Sequence, residues 1–203
     1  MLKRVQHDGL GAQKMDAFNF VFSLFGLLLG LALAEVLGGF GTALDSRREV
    51  RIGWLTPLLG LIVLFDVASF WSVAWDVRKA IPPRYFSLLC GLVITGLYYL
   101  IARLTFPRPR GERPDYDAHY FANKRWVLGG IVLANALASA GEAALGVNPF
   151  TPAFVGWAAL GFYVLMLATI FAPGKRANVA LLAINAAMYP TISLAFLLTA
   201  GRT

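Results

Sequence analysis

The sequence predicts an all-α protein, a polytopic bundle of six membrane-spanning helices, and three observations carry that expectation. Hydrophobic residues fill 58% of the 203 positions and charged residues only 14%, against about 25% charged in ordinary globular domains. The mean hydropathy is +0.65. The apolar residues are gathered into stretches of about 20, the length that crosses roughly 30 Å of hydrocarbon as a helix, and a helix satisfies its backbone polar groups within the segment.

Taken in order, residues 1–17 read as a polar N-terminal tail, followed by a single transmembrane domain over residues 18–200. The first span, 18–44, starts at Phe18 and carries Gly26, Gly30, Ala34 and Gly38 four apart, a small-residue stripe expected to let another helix approach closely. Lys3, Arg4 and Lys14 ahead of it, with Ala32-Leu33-Ala34 inside, imitate a signal peptide. The apolar run nevertheless continues from Val36 to Leu44, so the segment reads as a retained span. DSRREVRI ends it, and the second span, 53–75, is closed by DVRKAIPPR, whose prolines stop a helix. The third span, 85–106, ends at Phe106-Pro107.

The connection that follows is the longest. It begins Pro-rich and basic, and its second half places Tyr116 and Tyr120 four apart beside Phe121. That half reads either as a short helix lying in the membrane interface, with Asp115 near its start and Lys124 and Arg125 near its end, or as an inert ordered loop. The fourth span, 126–147, stops at NPFTP, the fifth, 153–172, at PGKRAN, and the sixth covers 179–200.

The net charge of +7 and the pI of 9.9 are those of many nucleic-acid binders, but the basic residues lie between apolar segments. Inward-facing loops and anionic headgroups account for them, so a lipid bilayer and no nucleic acid is the expected partner. Of the 18 Lys and Arg, six spans put 7 on the side of the termini and 11 on the other. The positive-inside rule then sets both termini outside the cytoplasm. Cys90 is the only cysteine, which excludes an intrachain disulfide.

Polar residues inside the spans are the candidates for function, because an ionised side chain at the bilayer centre costs about 2.5–3.5 kcal/mol on insertion scales. Glu35 and Asp66 each lie about 15 Å from the nearest span end. They are the leading ion- or proton-binding candidates. Thr95, Tyr99 and Arg103 share a face of span three, so Arg103 can reach back toward a carboxylate as counter-charge. Glu142 is a further candidate, although its place near the outer boundary also suits snorkelling into the headgroups. Polar faces are expected in span four, from Asn135, Ser139 and Glu142, and in span six, from Asn185, Tyr189 and Ser193. LAEVLGG and AGEAALG place glutamates similarly in spans one and four, as an inverted repeat would, but Asp66 has no acidic counterpart in span five.

No catalytic residue is assigned and no cofactor is expected. His7 and His119 lie outside the spans, and there is no H-E-x-x-H helix, G-x-S-x-G elbow or Walker loop. Asp115, Asp117 and His119 in DYDAH form the one arrangement with metal-ligand chemistry. Without further polar support a solvated loop explains it as well, and no metal site is assigned.

EVLGGFG, WLTPLLGLIVLFDVASFWSVAW, YYLIARLTFP and DYDAHYFANKRWV together resemble an uncharacterised family of small bacterial integral membrane proteins. The resemblance covers residues 18–130 and rests on the first-helix glutamate, the tryptophan-rich second helix and the Tyr-Leu-x-Ala-x-Leu-x-Phe-Pro ending of the third. It implies a six-helix architecture in the bacterial cytoplasmic membrane and carries no assigned activity. The reading is therefore a small transporter or channel-like protein that binds protons or cations at Glu35 and Asp66, moves a small ion or solute, and works as a homo-oligomer. The alternative is a non-catalytic scaffold or sensor whose buried acids are structural. A membrane enzyme ranks third.

Overall fold

In the computed structural model the described residues are 2–82, 84–108 and 115–200, with side-chain surroundings described from residue 22 to 198 within those segments. Six helices follow one another: α1 Leu2–Ser46, α2 Leu55–Val77, α3 Tyr85–Thr105, α4 Tyr116–Ala144, α5 Ala153–Phe171 and α6 Lys175–Ala200. Each contains a stretch long and apolar enough to cross a membrane, and the described residues contain no strand. Residues 109–114 of the basic connection and Arg202 lie outside the described residues, as do the side chains of Lys3, Arg4, His7 and Lys14.

Two boundaries differ from the sequence reading. Helix α1 begins at Leu2 rather than at Phe18, because residues 1–17 contain no proline and hold good helix formers such as Ala12, Gln13, Lys14 and Met15, through which a helix propagates. The segment expected to lie in the interface or form a loop is instead the first turns of α4. Asp115 caps that helix, its Oδ1 accepting the Asp117 and Ala118 amides at 3.0 Å. Tyr116 and Tyr120, four apart, point into the protein and are 1% exposed. Their four-residue spacing is a core stripe, not an interfacial one.

Helix α2 is the hub, touching α1, α3, α4 and α6, while α1 packs mainly on α3, and α5 touches only α4 and α6. Sequence accounts for this order. In α2 the buried set, Leu55, Thr56, Leu59, Gly60, Ile62, Val63, Asp66 and Val67, occupies one broad face. In α1 it is a single seam at Phe25, Leu29, Ala32, Val36 and Ala43, the spacing of a one-sided helix. In α5 only Met166 and Thr169 are buried, and Trp157, Leu160, Val164, Leu167 and Phe171 are exposed, as suits a helix facing lipid.

The small-residue stripe of α1 is not the seam expected of it. A side chain at Gly30 or Gly38 would meet nothing, although one at Gly26 would touch Trp71. Close approach falls instead on Gly39, where an added Cβ would sit 2.3 Å from the Phe106 ring. Phe106 also packs against Phe40 and over Gly60. The end of α3 therefore stands level with Gly39, about two turns below the end of α1.

At the end of the bundle where α1, α3 and α5 finish, side chains tie the connections down. Thr56 donates to the Tyr116 carbonyl at 2.9 Å, and Lys175 pairs with Asp117. Lys124, 5% exposed, donates to the Thr169 and Ala172 carbonyls at 3.0 and 2.6 Å and to Asn178 Oδ1 at 3.0 Å. All three ammonium protons are used, and the charge sits at the negative end of the α5 dipole.

Candidate functional site

The two deep acids occupy separate environments. Asp66, 2% exposed, projects from α2 to where α3, α4 and α6 converge. Its Oδ1 accepts from Asn135 Nδ2 and from the Tyr189 hydroxyl, each at 3.0 Å. Its Oδ2 accepts from the Tyr98 hydroxyl at 2.9 Å and from Asn135 Nδ2 at 3.0 Å. The Asn135 amide has two protons for three acceptors, so it is shared between the two carboxylate oxygens, and three donor groups engage Asp66 in all. The donors come from three helices and none is a cation.

Helical spacing explains how these groups arrive. Asn135 lies on the α4 face that buries Leu128, Ile131 and Ala134, and it also donates to the Ile131 carbonyl at 3.0 Å. Tyr189 packs between Phe65, tilted against it, and Phe162, edge-on to it, which holds its ring beside Asp66. Tyr98 is wholly buried and packs against Phe70.

Glu35 meets Arg103 instead. Arg103 Nη1 donates to Glu35 Oε1 at 2.7 Å, with side-chain exposures of 38% and 30%. The pair bridges α1 and α3 and lines a groove of about 420 Å³ between them, together with Ala34, Gly38, Thr42, Tyr99 and Arg108. Because Phe106 marks the end of α3 at the level of Gly39, the pair lies only about 6 Å below that end, one turn along α1. Counting residues from the end of α1 alone makes it look deeper. Arg103 is thus the counter-charge of Glu35 and not of Asp66.

The remaining candidates are dispersed. Glu142 is half-buried in the last turn of α4, at the opposite end of the bundle from Arg103. Ser139 lies beside Tyr163 of α5. Asn185 is 1% exposed, and among the described residues neither its Nδ2 nor its Oδ1 has a hydrogen-bond partner. The DYDAH residues do not converge on a metal: Asp115 caps α4, Asp117 pairs with Lys175, and His119 Nε2 lies 3.0 Å from the Leu104 carbonyl. Among the described residues no three His, Cys, Asp or Glu side chains are grouped to hold a metal ion.

Sequence reasoning missed Tyr98 and Lys124. The Thr95-Tyr99-Arg103 spacing drew attention to Tyr99, its neighbour, which faces the groove, and in a Tyr-Tyr pair spacing alone does not say which ring turns inward. Lys124 was counted among loop charges, although its position four residues after Tyr120 marks the same buried face of α4.

No protein-family model, curated protein or solved structure matches the chain. The chemistry open to these groups follows from their geometry: a carboxylate engaged on both oxygens by donors of its own chain, and an ion pair beside a groove with spare guanidinium donors.

Proposed function

We propose that the protein is a non-catalytic membrane scaffold whose intramembrane acids fasten helices to one another. The engagement of both Asp66 oxygens by side chains of three other helices carries this reading. A site that binds a cation in transit must offer it oxygen ligands, and the Asp66 oxygens are engaged by Tyr98, Asn135 and Tyr189. The same contacts offset the cost of placing the acid in the bundle and join α2 to three neighbours. Glu35 and Arg103 do likewise for α1 and α3. The reading places the protein in the cytoplasmic membrane of a bacterium, on the resemblance over residues 18–130. It puts the basic ends of α1, α3 and α5 in the cytoplasm, on the distribution of Lys and Arg.

Reconstitution distinguishes this from carboxylate-based transport. Full-length protein, Glu35→Gln and Asp66→Asn are placed in vesicles carrying a pH gradient or a cation gradient. The expected result is leakage equal to that of protein-free vesicles in every case. Wild-type flux that disappears in an Asp66→Asn protein with unchanged helical circular dichroism would overturn the scaffold and establish transport.

A further inference from the structure

We propose that the groove between α1 and α3 binds one anionic glycerophospholipid, its phosphate held by Arg103 and Arg108 and an acyl chain laid against Leu31 and Ala34. The inference goes beyond the scaffold reading and does not depend on it.

Charge is the first argument. Arg103 and Arg108 both line the groove with Glu35, which leaves one positive charge in excess, the complement of a phosphodiester. A guanidinium has five N–H donors, and Arg103 gives one contact to Glu35 Oε1. Arg108 makes no hydrogen bond or ion pair among the described residues. At a membrane boundary such exposed donors are open to water or to a headgroup, and a phosphate accepts from arginines with bidentate geometry. Glu35 Oε2 is free to accept from a hydroxyl on the headgroup.

Shape and level are the second. The groove runs along α1 from Leu31 to Thr42, about 16 Å of helix. Its polar groups gather toward the end at Thr42 and Arg108, and its apolar groups toward Leu31, which is 46% exposed. The end of α3, level with Gly39, sets the arginines where headgroups lie. A soluble anion would use only the polar half. Gly38 opens onto the groove with nothing within 4 Å of an added Cβ, so the space beside it is not needed for packing within the chain.

Native mass spectrometry of the full-length protein, exchanged into detergent with equal phosphatidylglycerol and phosphatidylcholine, tests the site. One phosphatidylglycerol is expected to be retained about tenfold in preference, the ratio that about 1.4 kcal/mol gives. Arg108→Gln and Gly38→Leu are both expected to abolish the preference, the first by removing a donor and the second by filling the groove. Arg108 makes no bond among the described residues and the Gly38 carbonyl keeps its Thr42 contact in either variant, so both are expected to fold, which an unchanged melting temperature verifies. Equal retention of the two lipids by wild type, or a preference that survives in both variants, would overturn the proposal. So would competition by millimolar inorganic phosphate as effective as that by the lipid, which would make the site one for soluble anions. A shift of oligomeric state in Gly38→Leu without lipid loss would assign the groove to a second copy of the chain instead. None of these readouts involves flux, so failure of the scaffold reading leaves them unaffected.

Discussion

Tyr98 and Asp66 are joined by a 2.9 Å hydrogen bond between a phenol with no exposed surface and a carboxylate 2% exposed. Removing the hydroxyl in Tyr98→Phe leaves the ring packing with Phe70 in place and deprives Oδ2 of one of its two contacts. The expected cost is about 1–2 kcal/mol, between the average for interhelical bonds in membranes and that for hydrogen bonds to charged groups. Reversible unfolding in mixed detergent measures it. In a double-mutant cycle with Asp66→Asn the two losses should fall short of additivity, since one substitution removes the bond and the other weakens its acceptor. Full additivity would mean that Tyr98 and Asp66 act independently.

Lys124 should behave as a pin for the turn between α5 and α6. Lys124→Met keeps the stem but leaves the Thr169 and Ala172 carbonyls and Asn178 Oδ1 short of a donor. A loss of about 2–3 kcal/mol is expected, the range for hydrogen bonds to a charged group. Lys175 and Arg176 are already exposed, and local opening should free their backbone from the helix, so trypsin should cut there faster in the variant. Lys124→Arg should rescue little, because a planar guanidinium cannot direct three donors into a pocket shaped for an ammonium. Unchanged trypsin susceptibility in Lys124→Met would show that Asn178, which itself donates to the Ala172 and Gly174 carbonyls, holds the turn alone.

The six helices were legible because apolar stretches of spanning length, broken by Pro, Gly and charge, leave few alternatives. Their ends were less so. At α1 nothing in residues 1–17 halts a helix, and at α4 the change from polar to apolar composition near Trp126 lies within one continuous helix. Among the site residues, Glu35, Asp66, Asn135 and Tyr189 stood out as polar groups in apolar surroundings. Which of them meet was not legible, because it depends on the level at which helices end. Arg103 reaches Glu35 only because α3 stops opposite Gly39, and that offset is set by the Phe106 ring lodged between α1 and α2. The glycine stripe misled for a related reason: small residues permit close approach but do not choose a partner.

That offset can be tested at Gly39. A methyl group there would fall 2.3 to 2.8 Å from Cγ, Cδ2 and Cβ of Phe106, atoms near the backbone that cannot swing aside, whereas a methyl at Gly30 meets nothing. Gly39→Ala should therefore destabilise by about 1–3 kcal/mol, as overpacking does. Gly30→Ala should be neutral or gain up to about 1 kcal/mol from helix propensity. Thermal melts in detergent compare them. In a Phe106→Ala background, itself destabilised, the further cost of Gly39→Ala should shrink. Equal melting temperatures for the two single variants would contradict the packing of Phe106 against α1.

Asn185 presents the opposite case, a polar group whose removal should help. Both ends of its amide are buried without partners, a state that costs about 1–3 kcal/mol for an unsatisfied group. Leucine has the same branched arrangement of heavy atoms, so Asn185→Leu removes that cost with little change of shape. A neutral effect or a gain of about 1 kcal/mol is expected, while Asn185→Ala should lose stability by leaving a cavity beside Leu182 and Ala186. The comparison is made by unfolding both variants in the same detergent. Destabilisation by leucine as large as that by alanine would mean that the amide holds a buried water. Such a water needs two or more polar partners, and Asp66, bonded to Tyr189 one turn along α6, is the first to examine. Asp66→Asn would then alter the effect of Asn185→Leu, and independence of the two substitutions would exclude the link.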